Sequence, residues 1–210
     1  HILTEKGKGY PIAQSDPTKF HGVQPDRGKT EKNFSDTVSE FLCSQSEKDG
    51  SITAITAAMA DGTGLTEFAE KFPDRCYDVG IAEQHAVTLA AGLAAGGLKP
   101  YFAVYSSFLQ RGFDQILHDV CINDLAVTFL IDRAGAVGAD GVTHQGIYDI
   151  PYLGCIPGIT VMAPKDGNEL RKMLEWSVDF GHPLAIRYPK SYSESYDSAP
   201  IEFGKWEIMR

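Results

Sequence analysis

The sequence has little that would tie it to a membrane, a nucleic acid or an oxidising compartment. Its 210 residues include only four cysteines (Cys43, Cys76, Cys121, Cys155), and none forms a C-x-x-C pair. Each lies beside apolar or aromatic residues, so buried reduced thiols are expected rather than disulfides or zinc ligands. That fits a reducing cytoplasm or plastid stroma. No apolar run approaches the ~20 residues of a membrane helix, and no signal-peptide pattern is present. Basic residues are outnumbered: 19 Lys and Arg against 28 Asp and Glu give a net charge of −9 at pH 7. A nucleic-acid backbone requires a basic face, so neither nucleic acid nor membrane is expected as a partner. Small anions stay open, because a few local arginines suffice for them. The G-x-G-x-x-G fingerprint, the Gly-Lys-Ser/Thr phosphate loop and the G-x-S-x-G elbow are all missing. Asp61, Asp78, Asp140 and His144 have neither zinc nor EF-hand spacing. The chain starts at His1, as a processed product or fragment would.

What is present is an ordinary globular composition, 43% hydrophobic and 22% charged, in a regular alternation of patterns. Residues 1–33 are rich in Gly, Pro, Lys and Asp. Only "HILT" has the character of a strand, and the rest reads as linker. From residue 34 strands and helices alternate. "FSDTVSEFLCSQSEKD" puts Val38, Phe41 and Leu42 on one helical face, with Ser35 or Asp36 as N-cap. Strands are expected at "SITAITAAM", "RCYDVG", "KPYFAVYS", "LAVTFLIDR", "ITVMAP" and "PLAIRYP". Between them, helices fall at "LTEFAEKFP", "AEQHAVTLAAGLAAGG", "FLQRGFDQILHDVCIND" and "DGNELRKMLEWSVDF", with a helical turn in "IYDIPYLGCIPG". About six strands make an α/β fold with a mostly parallel sheet and helices on both faces. Residues 191–210 read as linker toward a further domain, and 34–190 as the domain proper.

In such a sheet ligands gather beyond the carboxyl ends of the strands. The polar clusters fall there: Asp61–Gly64, Glu83 to His85, Tyr105 to Arg111, Arg133 to His144, and Arg187. Glu83 opens its helix. By position alone it complements the helix dipole, worth about 0.3–1 kcal/mol, or it is a carboxylate held to share a proton with a heterocycle nitrogen. Phe108 and Arg111, three apart, share a face. Phe113, Ile116, Leu117 and Val120 are core, and His118–Asp119, deep in the helix, reads as structural. The glycine-rich "IDRAGAVGADGVTHQG" carries Arg133, Asp140 and His144, either as a lid with acid/base groups or as a plain surface loop.

Five blocks in order, "DVGIAEQHAVTLAAGLA", "VYSSFLQRGFDQILHDV", "IDRAGAVGADGVTHQG", "YLGCIPGITVMAPKD" and "LAIRYPK", resemble the pyrimidine-binding domain of the 1-deoxy-D-xylulose-5-phosphate synthases. These are thiamin-diphosphate enzymes of the transketolase superfamily. The resemblance covers nearly all of residues 34–190, and "HILTEKGKGY" resembles the end of that family's first domain and its linker. It implies thiamin diphosphate and Mg²⁺ as cofactors, and condensation of pyruvate with D-glyceraldehyde 3-phosphate with loss of CO₂. The product is a precursor of isoprenoids, thiamin and pyridoxal.

By the same resemblance, Glu83 hydrogen-bonds N1′ of the aminopyrimidine and Phe108 stacks on it. Tyr105 and Arg111 line the substrate channel, and Arg133 with Arg187 holds the aldehyde's phosphate. Asp140 and His144 stand near the reacting centre, and His21 reaches it from the linker. The domain that anchors the diphosphate and magnesium lies outside the sequence, as does the third domain. The lone chain is therefore expected to be inactive, and its partners are that first domain and a second copy in a homodimer. The rivals are a transketolase, a two-oxoacid dehydrogenase β-type subunit, and a non-catalytic module of the same fold. The setting expected is a bacterial cytoplasm or a plastid stroma.

Overall fold

A computed structural model describes residues 1–17, 20, 32–138, 140–192, 196 and 199–205. The chain divides into two compact units, residues 1–31 and 32–210. In the first, "HILT" forms no strand. A short helix missed by the sequence reading, α1 (Pro11–Ser15), starts instead on Pro11, whose fixed φ suits a first helical turn. Tyr10 meets Phe20 edge-on at 6.3 Å, and Gln14 donates to Glu5 at 3.3 Å.

The second unit is built on a parallel six-stranded sheet in the order β2-β1-β3-β4-β6-β5. Its strands are β1 (Ile52–Thr56), β2 (Cys76–Asp78), β3 (Lys99–Tyr105), β4 (Thr128–Asp132), β5 (Thr160–Met162) and β6 (Leu184–Arg187). Period-2 alternation splits their side chains between two cores. Ile55, Phe102, Val104, Phe129, Ile131 and Ala185 enter one; Ile52, Tyr101, Ala103, Leu130, Leu184 and Ile186 enter the other. Helices α2 (Phe34–Ser46), α3 (Thr66–Lys71) and α8 (Gly167–Ser177) cover the second face. Helix α4 (Glu83–Ala95) and the segment from Phe113 to Cys121 cover the first. Both faces being covered explains why β4 is apolar almost throughout.

The N-cap of α2 is Asn33, not Ser35 or Asp36. Its side chain accepts from the Asp36 N–H at 2.8 Å, and Asp36 accepts from the Asn33 N–H at 2.9 Å. Ser35 is thereby freed for a tertiary bond: its hydroxyl donates to Asp132 at 2.7 Å. Asp166 caps α8, accepting from the Glu169 N–H at 2.9 Å.

The stretch after β3 is not one regular helix. It runs through α5 (Ser106–Leu109), a 3₁₀ turn (Gln110–Gly112), α6 (Phe113–Gln115) and a π-helical turn (Ile116–Cys121) before ending. Ile116 and Val120 are buried, but the π turn rotates His118 outward, leaving its side chain 76% exposed. His118 and Asp119 are not deep. Asp119 instead ties this segment to α4 by accepting from Thr88 at 2.7 Å. Among the cysteines, Cys43 and Cys121 are buried, but Cys76 is half-buried and Cys155 exposed, where a turn after α7 (Asp149–Leu153) carries it to the surface. Burial pushes the Cys121 thiol up to about 11, which keeps it protonated and unreactive.

Candidate active site

The chain reverses direction along the sheet between β1 and β3, and the crevice at such a point lies beyond the carboxyl ends of the strands. Glu83 follows β2, Gly62 follows β1, Tyr105 ends β3, Arg133 follows β4 and Arg187 ends β6. The polar clusters of the sequence thus lie along one edge.

Glu83 occupies the first position of α4 and is 2% exposed. Its carboxylate accepts from Arg111 Nη1 at 2.5 Å. A buried carboxylate is costly without such a partner. Close packing underneath holds the pair. A side chain at Gly112, next to Arg111, would meet Val87 at 2.9 Å, so only glycine lets the turn lie against α4. Neighbouring His85 is exposed.

From Arg111 the contacts run on without a break. Its guanidinium lies 4.7 Å from the centre of the Phe108 ring. Phe108 stacks on Tyr105 at 5.8 Å and takes the His144 ring edge-on at 5.1 Å. The Arg133 guanidinium covers Tyr105 at 3.7 Å. Burial raises the Tyr105 phenol, against the pull of Arg133, so its hydroxyl stays neutral and able to donate at pH 7.

Arg133 is already engaged on several sides. Nε donates to Asp140 at 3.0 Å, Nη1 to the Gly62 carbonyl at 2.8 Å, and Nη1 also lies 3.2 Å from Asp132. Its φ of +59° is left-handed, a conformation that costs an L-residue about 1–2 kcal/mol. Asp132 is fully buried; burial raises its carboxyl, and Arg133, Ser35 and the Arg133 N–H oppose the rise. Burial also acts to raise Asp140, but hydrogen bonds from Lys190, at 2.6 Å, and Arg133 outweigh it and hold that carboxyl below the usual range.

The glycine-rich loop is clasped at its base and waist. Gly135 and Gly146 exchange backbone hydrogen bonds at 2.6 and 2.8 Å, and a side chain at Gly146 would meet Ser106 at 2.9 Å. Gln145 accepts from the Val137 N–H at 2.8 Å and donates to the carbonyls of Val137 and Gly141. Arg187 stands apart from this cluster: it pairs with Asp149, through Nε at 2.8 Å and Nη2 at 3.2 Å. His21 lies outside the described residues.

Sequence reasoning passed over Asp132, Asp149 and Gln145. The first two carry a readable signal, a lone acid inside an apolar run ("FLIDR", "IYDIPYL"), which needs a buried cation to sit opposite it. Gln145 carried none, since its clasp depends on the loop's shape. Among the described residues, no group of three or more His, Cys, Asp or Glu is placed to hold a metal ion. No described helix is long and apolar enough to cross a membrane.

The family described as "Transketolase, pyrimidine binding domain" matches residues 30–194. The chain belongs to that family. Relatives of this pyrimidine-binding domain include the 1-deoxy-D-xylulose-5-phosphate synthase of Clostridium perfringens (strain ATCC 13124), 55% identical over 220 residues, covering 100% of this chain and 36% of that protein. The synthase of Clostridium acetobutylicum is 53% identical over 221 residues, with the same coverage of 100% and 36%. That of Polaromonas sp. is 47% identical over 223 residues, covering 100% and 35%. The chain therefore spans about a third of the length of the curated relatives it matches.

Among solved structures, a split gene transketolase in its inactive beta4 tetramer superposes with a TM-score of 0.73 at 25% identity, covering 83% of this chain and 58% of that one. The transketolase of Campylobacter jejuni superposes with a TM-score of 0.72 at 18% identity, covering 87% and 29%. That second likeness is one of fold alone.

Proposed function

We propose that this chain is the pyrimidine-binding part of a 1-deoxy-D-xylulose-5-phosphate synthase, joining pyruvate to D-glyceraldehyde 3-phosphate with loss of CO₂. The observation that carries the reading is the Glu83 carboxylate, buried at a helix start beside a half-exposed aromatic ring. Identity of 47–55% over the whole chain to synthases favours this reaction over those of the related transketolases.

The residues fit an aminopyrimidine. A buried carboxylate is the acceptor that a protonated ring nitrogen needs, and Phe108 supplies a face to stack on. Both contacts are now made by the Arg111 guanidinium, a planar cation whose side chain is 45% exposed. Thiamin diphosphate, when bound, supplies an acidic ring carbon for attack on a ketone. Glu83 shares a proton with N1′ and sets the tautomer of the ring. Phe108 and Tyr105 hold the aromatic plane. Asp140 and His144 serve the reacting centre, and Arg111, Arg133 and Arg187 bind the anionic substrates. Magnesium and the diphosphate fall to residues outside this chain. A diphosphate-binding domain and a second copy are the partners, and the bacterial relatives point to a cytoplasmic setting.

The test is product analysis. The enzyme carrying this chain, assembled with its diphosphate-binding half, is given 2-¹³C-pyruvate and D-glyceraldehyde 3-phosphate and followed by NMR. Labelled 1-deoxy-D-xylulose 5-phosphate is expected, and none from the lone chain. Turnover of ketose phosphate donors without use of pyruvate would overturn the reading in favour of a transketolase.

A further inference from the structure

The Arg187–Asp149 pair has a geometry that a simple neutralising contact does not require. Asp149 opens α7 with its side chain fully buried, and Arg187 ends β6 with its side chain 16% exposed. The two carboxylate oxygens take Nε and Nη2, one whole edge of the guanidinium, as a side-on fork. Oδ1 also accepts from the Ile150 N–H at 3.0 Å, which fixes the carboxylate to the helix start. The nearby Tyr152 hydroxyl is buried without a hydrogen-bond partner, so it does not compete. Among the described residues, Nη1 of Arg187 has no hydrogen-bond partner. Arg133 spends Nε on Asp140 and Nη1 on the Gly62 carbonyl and Asp132.

We propose that Asp149 is a positioning residue for phosphate recognition, locking Arg187 so that Nη1 is the donor kept for the phosphate of the acceptor aldehyde. This rests on the phosphate-binding role given to Arg187 above. An arginine side chain left free would lose its rotamer freedom each time a substrate bound, a cost of about 1.5–2 kcal/mol. The buried fork meets that cost on folding, and does so in a low-dielectric setting where the bond geometry is held tightly. An asparagine at the same place would turn one acceptor into a donor facing Arg187 and open the fork.

The experiment compares D-glyceraldehyde 3-phosphate with unphosphorylated D-glyceraldehyde as acceptors, in the assembled enzyme carrying Asp149→Asn. The KM for the phosphorylated acceptor is expected to rise about tenfold, with kcat within about twofold and the KM for D-glyceraldehyde unchanged. Arg187→Lys, which keeps the charge but not the fork, is expected to lose the same discrimination. Asp149→Glu is expected to recover part of it. An equal rise in KM for both acceptors, or no change for either, would overturn the positioning role. A wild-type enzyme that does not distinguish the two aldehydes would overturn the phosphate role itself, and the proposal with it.

Discussion

Arg111 donates to Glu83 at 2.5 Å while lying 4.7 Å from the Phe108 ring centre, so one guanidinium satisfies both the carboxylate and the aromatic face of the site. Arg111→Ala leaves a buried carboxylate without its cation and is expected to cost about 1–3 kcal/mol. Adding Glu83→Gln should recover most of that loss, because the charge needing a partner is gone. Urea unfolding of the two single variants and the double variant at pH 7 measures the coupling.

Phe108 offers the ring on which the proposed cofactor rests. Phe108→Ala is expected to weaken thiamin diphosphate binding to the assembled enzyme by about 3–10-fold, the size of an aromatic stacking contact. Calorimetric titration checks this. Phe113→Ala, whose ring meets Tyr152 edge-on at 6.3 Å on the same segment, is expected to leave the cofactor affinity unchanged.

Asp49 fastens the turn before β1. The Ser51 hydroxyl and N–H, followed by Lys99 at the start of β3, hold its carboxyl down to about 2. A folded-state value below the unfolded one, about 4, means the stabilisation is present above pH 4. It is lost as the pH falls through 2. Asp49→Asn is expected to cost about 0.5 kcal/mol at pH 7, solvent screening included, and progressively less as the pH falls to 2 and below. Melting temperatures of the two proteins across that range should converge at the acid end.

Asn33 and Asp36 close the start of α2 reciprocally. Asn33→Ala is expected to lower stability by about 1 kcal/mol, measured by urea unfolding. Ser35→Ala removes a hydroxyl that reaches buried Asp132 and is expected to cost a similar amount through a different group.

The sheet and the placement of Glu83 were legible because they follow from local periodicity. Runs such as "LAVTFLIDR" and "PLAIRYP" form β4 and β6, and Glu83 begins α4. What stayed hidden depends on groups far apart in sequence or on extra backbone turns. A π turn at Ile116–Cys121 inserts a residue that helical spacing does not reveal, and so His118 points outward. Asn33 rather than Ser35 caps α2, and the Ser35 hydroxyl reaches Asp132, 97 residues away, a partner no local pattern reveals. The arginines were legible at the strand ends, but not their occupied state: Arg133 already holds two carboxylates, and Arg187 one.

The central claim is that Glu83 governs the proton chemistry of a bound aminopyrimidine. Hydrogen–deuterium exchange at the acidic ring carbon of thiamin diphosphate bound to the assembled enzyme tests it most directly, in wild type and Glu83→Gln. Positioned acid–base groups contribute about 100-fold or more, so the variant should exchange at least about 100-fold more slowly with its fold intact. Exchange at an equal rate in both would contradict the account.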